Sequence, residues 1–174
     1  CVDLDGTLLR SDLLIESALK LLSAQPWIAL FLPFWLLTGG KARLKHEIAS
    51  RVSIDVSNLP FDKRILGLLH DARRSGRSIV LFSASNQHLV DQVAESLLLF
   101  DHAMGSDGSR NLAGATKAKE LVRLYGRRGF DYAGNSTVDL AVWHEARKGW
   151  VVNAGESLRR KAAECCEIEH YLGS

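Results

Sequence analysis

From residue 78 to residue 165 the chain repeats one rhythm: a short β-branched or aromatic run, then an amphipathic stretch of about three helical turns. Strands are predicted at 78–82, near 102–104, at 130–133 and at 150–152. Helices are predicted at 86–98, 115–127, 138–147 and 156–165. Strands separated by helices cannot close as hairpins. They form a parallel sheet with helices on both faces. Ligands of such sheets bind beyond the carboxyl ends of the strands, so residues at those ends are the first candidates for function.

The sheet begins earlier than this rhythm. Cys1-Val2-Asp3-Leu4 reads as the remnant of an apolar strand, and the start on Cys1 predicts a piece trimmed from a longer polypeptide. Between this strand and residue 78 the chain reads as all-helical. A helix capped by Ser11 or Asp12 runs to about Ser23. An apolar stretch follows through Leu37 and is stopped by Gly39-Gly40. A basic helix covers 41–51, and a last helix, opened by Pro60, ends near Gly76. The predicted fold is α/β: a Rossmann-like parallel sheet made from residues 1–10 and 77–174, with residues 11–76 inserted after the first strand as a helical cap.

With 47% hydrophobic residues a sizeable core can form. The 22 basic and 20 acidic residues nearly cancel, which excludes a nucleic-acid binder working through bulk charge. Cys1, Cys165 and Cys166 offer neither a disulfide framework nor zinc-ligand spacing, so a reducing compartment is expected.

Four segments carry candidate chemistry. Asp3 and Asp5 stand two apart at a strand end, which puts both side chains on one side; Gly6 turns the chain and Thr7 can hydrogen-bond back to the turn. Two such carboxylates can hold Mg²⁺, or divide the roles of nucleophile and proton carrier; a solvated turn is the alternative. The strand 79–82 ends in Ser83, whose hydroxyl can meet a phosphate oxygen. Ala84, Ser85 and Asn86 then open a helix whose free N–H groups favour an anion, although Ser85 or Asn86 serves equally as a plain cap. Lys117 lies early in a helix, where the dipole opposes it and an anion would suit it; an ordinary surface lysine is the alternative. Asn135 and Asp139 stand four apart after the 130–133 strand and can face a metal, or can serve as an Asx turn and a first-turn acid.

Taken together, in this order and at strand ends, the four resemble the motifs of the haloacid-dehalogenase (HAD) superfamily of phosphatases and phosphotransferases. Asp3-Leu4-Asp5-Gly6-Thr7 matches its D-x-D-G-T, Ser83 its second motif, Lys117 its third, and Gly134 to Asp139 its fourth. The resemblance implies that Asp3 is nucleophile and Mg²⁺ ligand, and that Asp5 is the general acid/base and lends its carbonyl to Mg²⁺. Ser83 and Lys117 would hold phosphoryl oxygens, with Thr7 and Ala84 also contacting substrate. Asn135 and Asp139 would complete the metal site, Asp139 partly through water. The family usually has Asp where this chain has Asn135, which removes one negative charge and implies weaker Mg²⁺ binding.

The helical insertion resembles the cap of the phosphoserine-phosphatase-like subgroup. Its apolar stretch lacks charge between Leu21 and Leu37 but is marginal in length and interrupted by Pro26 and Pro33, so it is not read as a membrane span. Trp27 and Trp35 at its edges and Lys41, Arg43 and Lys45 beyond it suit a membrane surface, or else a greasy cap packed on its neighbours. Leu32-Pro33 to Gly39 with the following basic residues is similar to caps of phosphatidylglycerophosphatase-C-like members. Ser106-Asp107-Gly108, Asn111-Leu112, Gly114, Tyr132 to Ser136 and Trp143 resemble the HAD domain fused ahead of UbiA-type membrane prenyltransferases, a group in which Asn in the fourth motif is normal. The expected function is a Mg²⁺-dependent phosphomonoesterase acting on a lipid- or isoprenoid-linked phosphate, in the cytoplasm at the inner face of the membrane. Two other readings stand beside it: a non-catalytic module docking on a fused or partner prenyltransferase, and a phosphatase of small soluble metabolites.

Overall fold

The parallel sheet forms around its shortest strand. In the computed structural model, which describes residues 1–52, 55–107 and 110–173 with the side chains of 41 and 42 excepted, Val2 sits between two neighbours. Its N–H donates to Val80 and its carbonyl accepts from Phe82, both at 2.9 Å. On the other side Asp3 N–H donates to Ala133 (3.0 Å) and Ala133 N–H to Cys1 (2.9 Å). Around this segment lie β1 (Val80–Asn86), β2 (His102–Ser106), β3 (Tyr132–Gly134), β4 (Lys148–Val152) and β5 (Glu167–Leu172). The order is β2, β1, residues 1–3, β3, β4, β5, with every pairing parallel. Gly108 of the Ser106-Asp107-Gly108 pattern and the side chain of Lys41 lie outside the described residues.

Alternation along the strands divides the core between two faces. Val2, Leu4, Leu81 and Val152 pack with Leu89, Val90 and Val93 of α4 (Gln87–Leu97) on one face. Val80, Phe82, Tyr132 and Val151 pack on the other with Leu121 of α5 (Gly114–Tyr125), Trp143 of α6 (Leu140–Trp143) and Ala162 of α7 (Glu156–Cys165). Three elements differ from the sequence prediction. β1, expected to end at Ser83 with residues 84–86 opening a helix, runs on as strand to Asn86. The helix expected over 138–147 is a 3-10 turn, Thr137–Asp139, followed by the short α6, because the chain turns back to pair Arg147 N–H with the Phe130 carbonyl. β5 has no counterpart in the sequence prediction: as an edge strand it alternates exposed and half-buried positions and carries little apolar signal. The three cysteines are free.

Asp12 caps α1 (Leu13–Ala24) by accepting from Leu14 N–H at 2.8 Å. A 3-10 helix, Pro26–Leu30, leads to α2 (Leu32–Ala49), which breaks at Gly40, where φ is +62°. The expected Gly39-Gly40 stop is thus a bend between two helical pieces. Leu21, Ile28, Trp35, Ile48 and Val52 form a small core of their own. This corrects the pairing of Trp27 with Trp35 as two surface edges. Trp27 is 61% exposed, whereas Trp35 is 7% exposed, with the Arg51 guanidinium 4.9 Å from its ring centre. Pro60 does not open α3 (Lys63–Arg74); Asp62 caps that helix. Residues 8–10 and 60–62 instead run side by side: Arg10 N–H donates to Pro60 (3.0 Å) and Asp62 N–H to Leu8 (2.9 Å). α3, grouped with the cap from sequence, places Ile65 and Leu69 in the sheet-side core with Val2 and Leu4.

Candidate active site

The loops that follow the first strand and β3 meet, and Ser83 and Ser85 of β1 face Asp5 beside them. Gly6 makes the meeting sterically feasible. Its φ is +74°, and a Cβ there would lie 2.0 Å from the Asn135 amide nitrogen, so the first and fourth motif loops touch through glycine. Gly134 is similarly hemmed in: a Cβ would come within 2.8 Å of Asp139 Oδ2 and of the Tyr132 ring.

The two candidate carboxylates are held by different elements. Asp3 is 8% exposed, and Lys117 Nζ donates to its Oδ1 at 2.6 Å. Oδ2 receives no hydrogen bond from a described residue. Asp5 is engaged from β1 and from the cap: Ser85 Oγ donates to Oδ2 (2.6 Å), Ser83 Oγ lies 3.3 Å from the same oxygen, and Leu13 N–H donates to Oδ1 (2.7 Å). Ser83 is fully buried and also accepts from Ser85 N–H at 2.9 Å. Of the two proposed caps for α4, Asn86 takes that role, accepting from His88 N–H, which frees the Ser85 hydroxyl for Asp5. Ser85 lies two residues beyond Ser83 on one strand, so the period of two could have identified it.

Lys117 is 3% exposed, not an ordinary surface lysine. Beyond Asp3 it donates to Tyr132 Oη (3.0 Å), and Tyr132 donates in turn to Asp139 Oδ1 (2.7 Å). Asp139 Oδ2 takes the N–H groups of Asn135 (3.1 Å) and Ser136 (3.0 Å) and the Ser136 hydroxyl (3.1 Å). Both Asp139 oxygens therefore accept from protein donors. Tyr132 carries no site signal in the sequence, because an aromatic in an apolar strand reads as core. Burial, reinforced by Asp139 and Asp3, pushes its hydroxyl well above the ordinary tyrosine value and keeps it a donor. Burial also pushes the Asp3 carboxyl up against the opposing pull of Lys117. Asp5 is raised too, again by burial, with the Ser85 and Leu13 hydrogen bonds opposing.

Thr7 departs from expectation. It is fully buried, and its hydroxyl has no partner among the described residues, so the bond back to the turn is absent. A buried hydroxyl of this kind is about 1–3 kcal/mol short of its hydrogen-bonding requirement and available to a ligand. From the cap, Lys45 reaches across to the Ala84 carbonyl at 3.3 Å, so it faces this site, apart from the outer basic cluster predicted for it. Ala84 also accepts from Ser106 Oγ at 2.9 Å.

Among the described residues no group of three His, Cys, Asp or Glu is arranged to hold a metal. The uncommitted donors are all oxygens: Asp3 Oδ2, the Asp5 carbonyl and the Asn135 amide. Of the three carboxyl groups Asp3, Asp5 and Asp139, only Asp3 is paired with a buried ammonium, that of Lys117. Hard oxygen donors and surplus negative charge fit Mg²⁺, through a set with a single direct carboxylate.

No family model matches the sequence. The uncharacterized protein y4nM of Sinorhizobium fredii is 35% identical over 163 residues, covering 93% of this chain; the chain spans only 31% of that protein. Among solved structures, a HAD family hydrolase, t0658, from Salmonella enterica serovar Typhi superposes with a TM-score of 0.68 at 16% identity, covering 98% of this chain and 65% of its own. A substrate-bound phosphoserine phosphatase superposes with a TM-score of 0.61 at 14% identity, covering 95% and 90%.

Proposed function

We propose that this chain, which has the fold of the HAD hydrolases, is a phosphatase that hydrolyses phosphomonoesters through an aspartyl-phosphate on Asp3. The observation that carries the reading is the buried pairing of Asp3 with Lys117 beside Asp5, with one Asp3 oxygen left unengaged. Asp3 Oδ2 attacks phosphorus, the ester P–O bond breaks, and Asp5 gives its proton to the leaving oxygen. The raised Asp5 carboxyl suits that proton. Water then attacks phosphorus, Asp5 takes a proton from it, and the Asp3 carboxylate is released. Lys117, Ser83 and Thr7 hold phosphoryl oxygens, Lys117 balancing the charge that develops there. Mg²⁺ at Asp3, the Asp5 carbonyl and Asn135 would supply further charge neutralisation.

The substrate class is a lipid- or isoprenoid-linked phosphate presented at a membrane surface. The cap supports this. Among the described residues no helix is long and apolar enough to cross a membrane, yet Trp27, Leu30, Phe31, Phe34 and Leu37 are between 46% and 86% exposed on adjoining turns. Exposed aromatic and aliphatic side chains in one patch suit the headgroup boundary. The same patch favours a second reading, a module that docks through its cap on a membrane prenyltransferase, fused or separate.

Phosphate release from an aryl phosphate, measured with Mg²⁺ for the native chain and for Asp3→Asn, tests the reaction. Release abolished by both chelation and the substitution is expected. Release that survives Asp3→Asn overturns the mechanism, and no release at millimolar Mg²⁺ shifts the assignment to the docking module.

A further inference from the structure

The loop that carries Asp5 and Gly6 borders an opening whose two arginines the reaction above leaves unused. A cavity of about 550 Å³ is lined by Gly6, Arg10, Arg64, Asn135 and Asn153. Every side chain with polar atoms in that lining brings N–H donors, and no carboxylate lines it. The carboxylate that balances the two arginines, Asp62, is fully buried. It holds Arg64 through Nε at 3.0 Å and through Nη2, but meets Arg10 only at 3.5 Å. Arg64 is further committed to the Gly173 carbonyl and to Asn153 Oδ1 at 2.7 Å. Arg10 is different. Its side chain is 59% exposed, and its terminal nitrogens meet no acceptor among the described residues. Two guanidinium groups against one buried carboxylate leave a donor-rich, net-positive hollow beside the phosphoryl site.

We infer that this hollow binds a second anionic group of the substrate, a phosphate or carboxylate on the part that is not transferred, with Arg10 as its main contact. The inference rests on the phosphatase reading and narrows its substrate to doubly anionic esters. Three features prepare the hollow. The Arg10 backbone is pinned by its N–H to Pro60, so the guanidinium swings from a fixed point where the chain enters the cap. A planar guanidinium matches two anionic oxygens at once. Asn153 fixes the wall: it adopts φ +48°, and its Nδ2 donates to the Gly6 carbonyl at 3.2 Å. Binding a remote anion there would also fix the ester against Asp3.

The test is calorimetric titration with alkane bisphosphonates of increasing spacer length, against monophosphonates of the same chain lengths. Their C–P bonds are not hydrolysed, so binding is read independently of turnover. At one spacer length the bisphosphonate should bind about tenfold tighter or more. Arg10→Gln should bring its affinity down to that of the monophosphonate, and Arg10→Lys should retain part of the difference; circular dichroism checks the fold of both. Equal affinities at every spacer length, or a preference that survives Arg10→Gln, overturns the inference. Aryl phosphate release measured on the same preparations separates the two readings: release without a bisphosphonate preference removes the second-anion site and keeps the phosphatase, and a preference without release does the reverse.

Discussion

The floor of the candidate site and the tip of the cap invert the ordinary distribution of residues in opposite ways. At the floor, Asp3, Lys117 and Asp139 are buried and linked through Tyr132, and buried Ser83 meets Asp5 and Ser85. At the tip, Leu30 and Leu37 are more than 80% exposed and Trp27 is 61% exposed. Burying polar groups costs free energy unless each is paired, and exposing contiguous apolar groups forgoes burial. Neither serves folding alone. The floor is a buried polar network suited to a small ligand, and the tip is an uncovered apolar surface suited to a large partner. Substitutions at the floor should therefore change stability and chemistry together, and those at the tip should change association alone.

The sharpest break in that comparison is Lys117→Met. It strands Asp3 in a buried position and removes the donor to Tyr132, so unfolding free energy should fall by about 3–5 kcal/mol. Adding Asp3→Asn to Lys117→Met should recover part of the loss, because the stranded charge is gone. Denaturant titration of the two single variants and the double variant reads this coupling directly. Additive losses would mean that the pair is not the connected unit described above.

Within the cap the comparison repeats on a smaller scale. Trp35→Ala empties the Leu21, Ile28, Ile48 and Val52 cluster and should cost about 3–5 kcal/mol. Trp27→Ala, on the exposed tip, should change stability by less than about 0.5 kcal/mol. Sedimentation with anionic vesicles should respond the other way, falling for Trp27→Ala. Vesicle binding unchanged by Trp27→Ala would remove the membrane surface as partner of the tip.

The contrast between Trp27 and Trp35 also marks what the sequence could disclose. A period of two along apolar strands separates faces, so the parallel sheet and the strand-end positions of Asp3 and Asn135 could be read from residue order, whereas Ser83 lies inside a strand that runs on to Asn86. A stretch that is apolar all round has no period to read, and only tertiary packing decides that Trp35 turns in and Trp27 out. Tyr132 was hidden for a related reason. Its ring packs against Trp143 like any core aromatic, and only its hydroxyl, placed by β3 between Lys117 and Asp139, belongs to the site. Lys45 was misplaced because the bend at Gly40 redirects the second half of α2 toward Ala84, a turn that a Gly-Gly pair announces without giving its direction.

Gly6→Ala tests how tightly the two loops must meet. A left-handed backbone position costs an alanine roughly 1–2 kcal/mol. The new methyl would also displace Asn135, which approaches to 2.0 Å of that position. The expected result is a modest fall in thermal midpoint with a larger rise in the Mg²⁺ concentration needed for phosphate release. If only stability falls, the contact holds the loops together without shaping a metal site.

Asn135→Asp is the smallest change and the most specific. It adds a carboxylate to a site that already holds Asp3, Asp5 and Asp139, with a buried ammonium paired to Asp3 alone, so without metal the variant should be slightly less stable than the native chain. With metal the sign reverses. A second charged ligand strengthens the attraction for Mg²⁺, and the concentration giving half-maximal phosphate release should fall by about three- to tenfold. Melting curves with and without Mg²⁺ should therefore cross: the aspartate form lower in chelator and higher in millimolar Mg²⁺. Curves displaced by the same amount in both conditions would mean that the residue at 135 does not touch the metal. The neutral amide would then serve the contact with Gly6 alone.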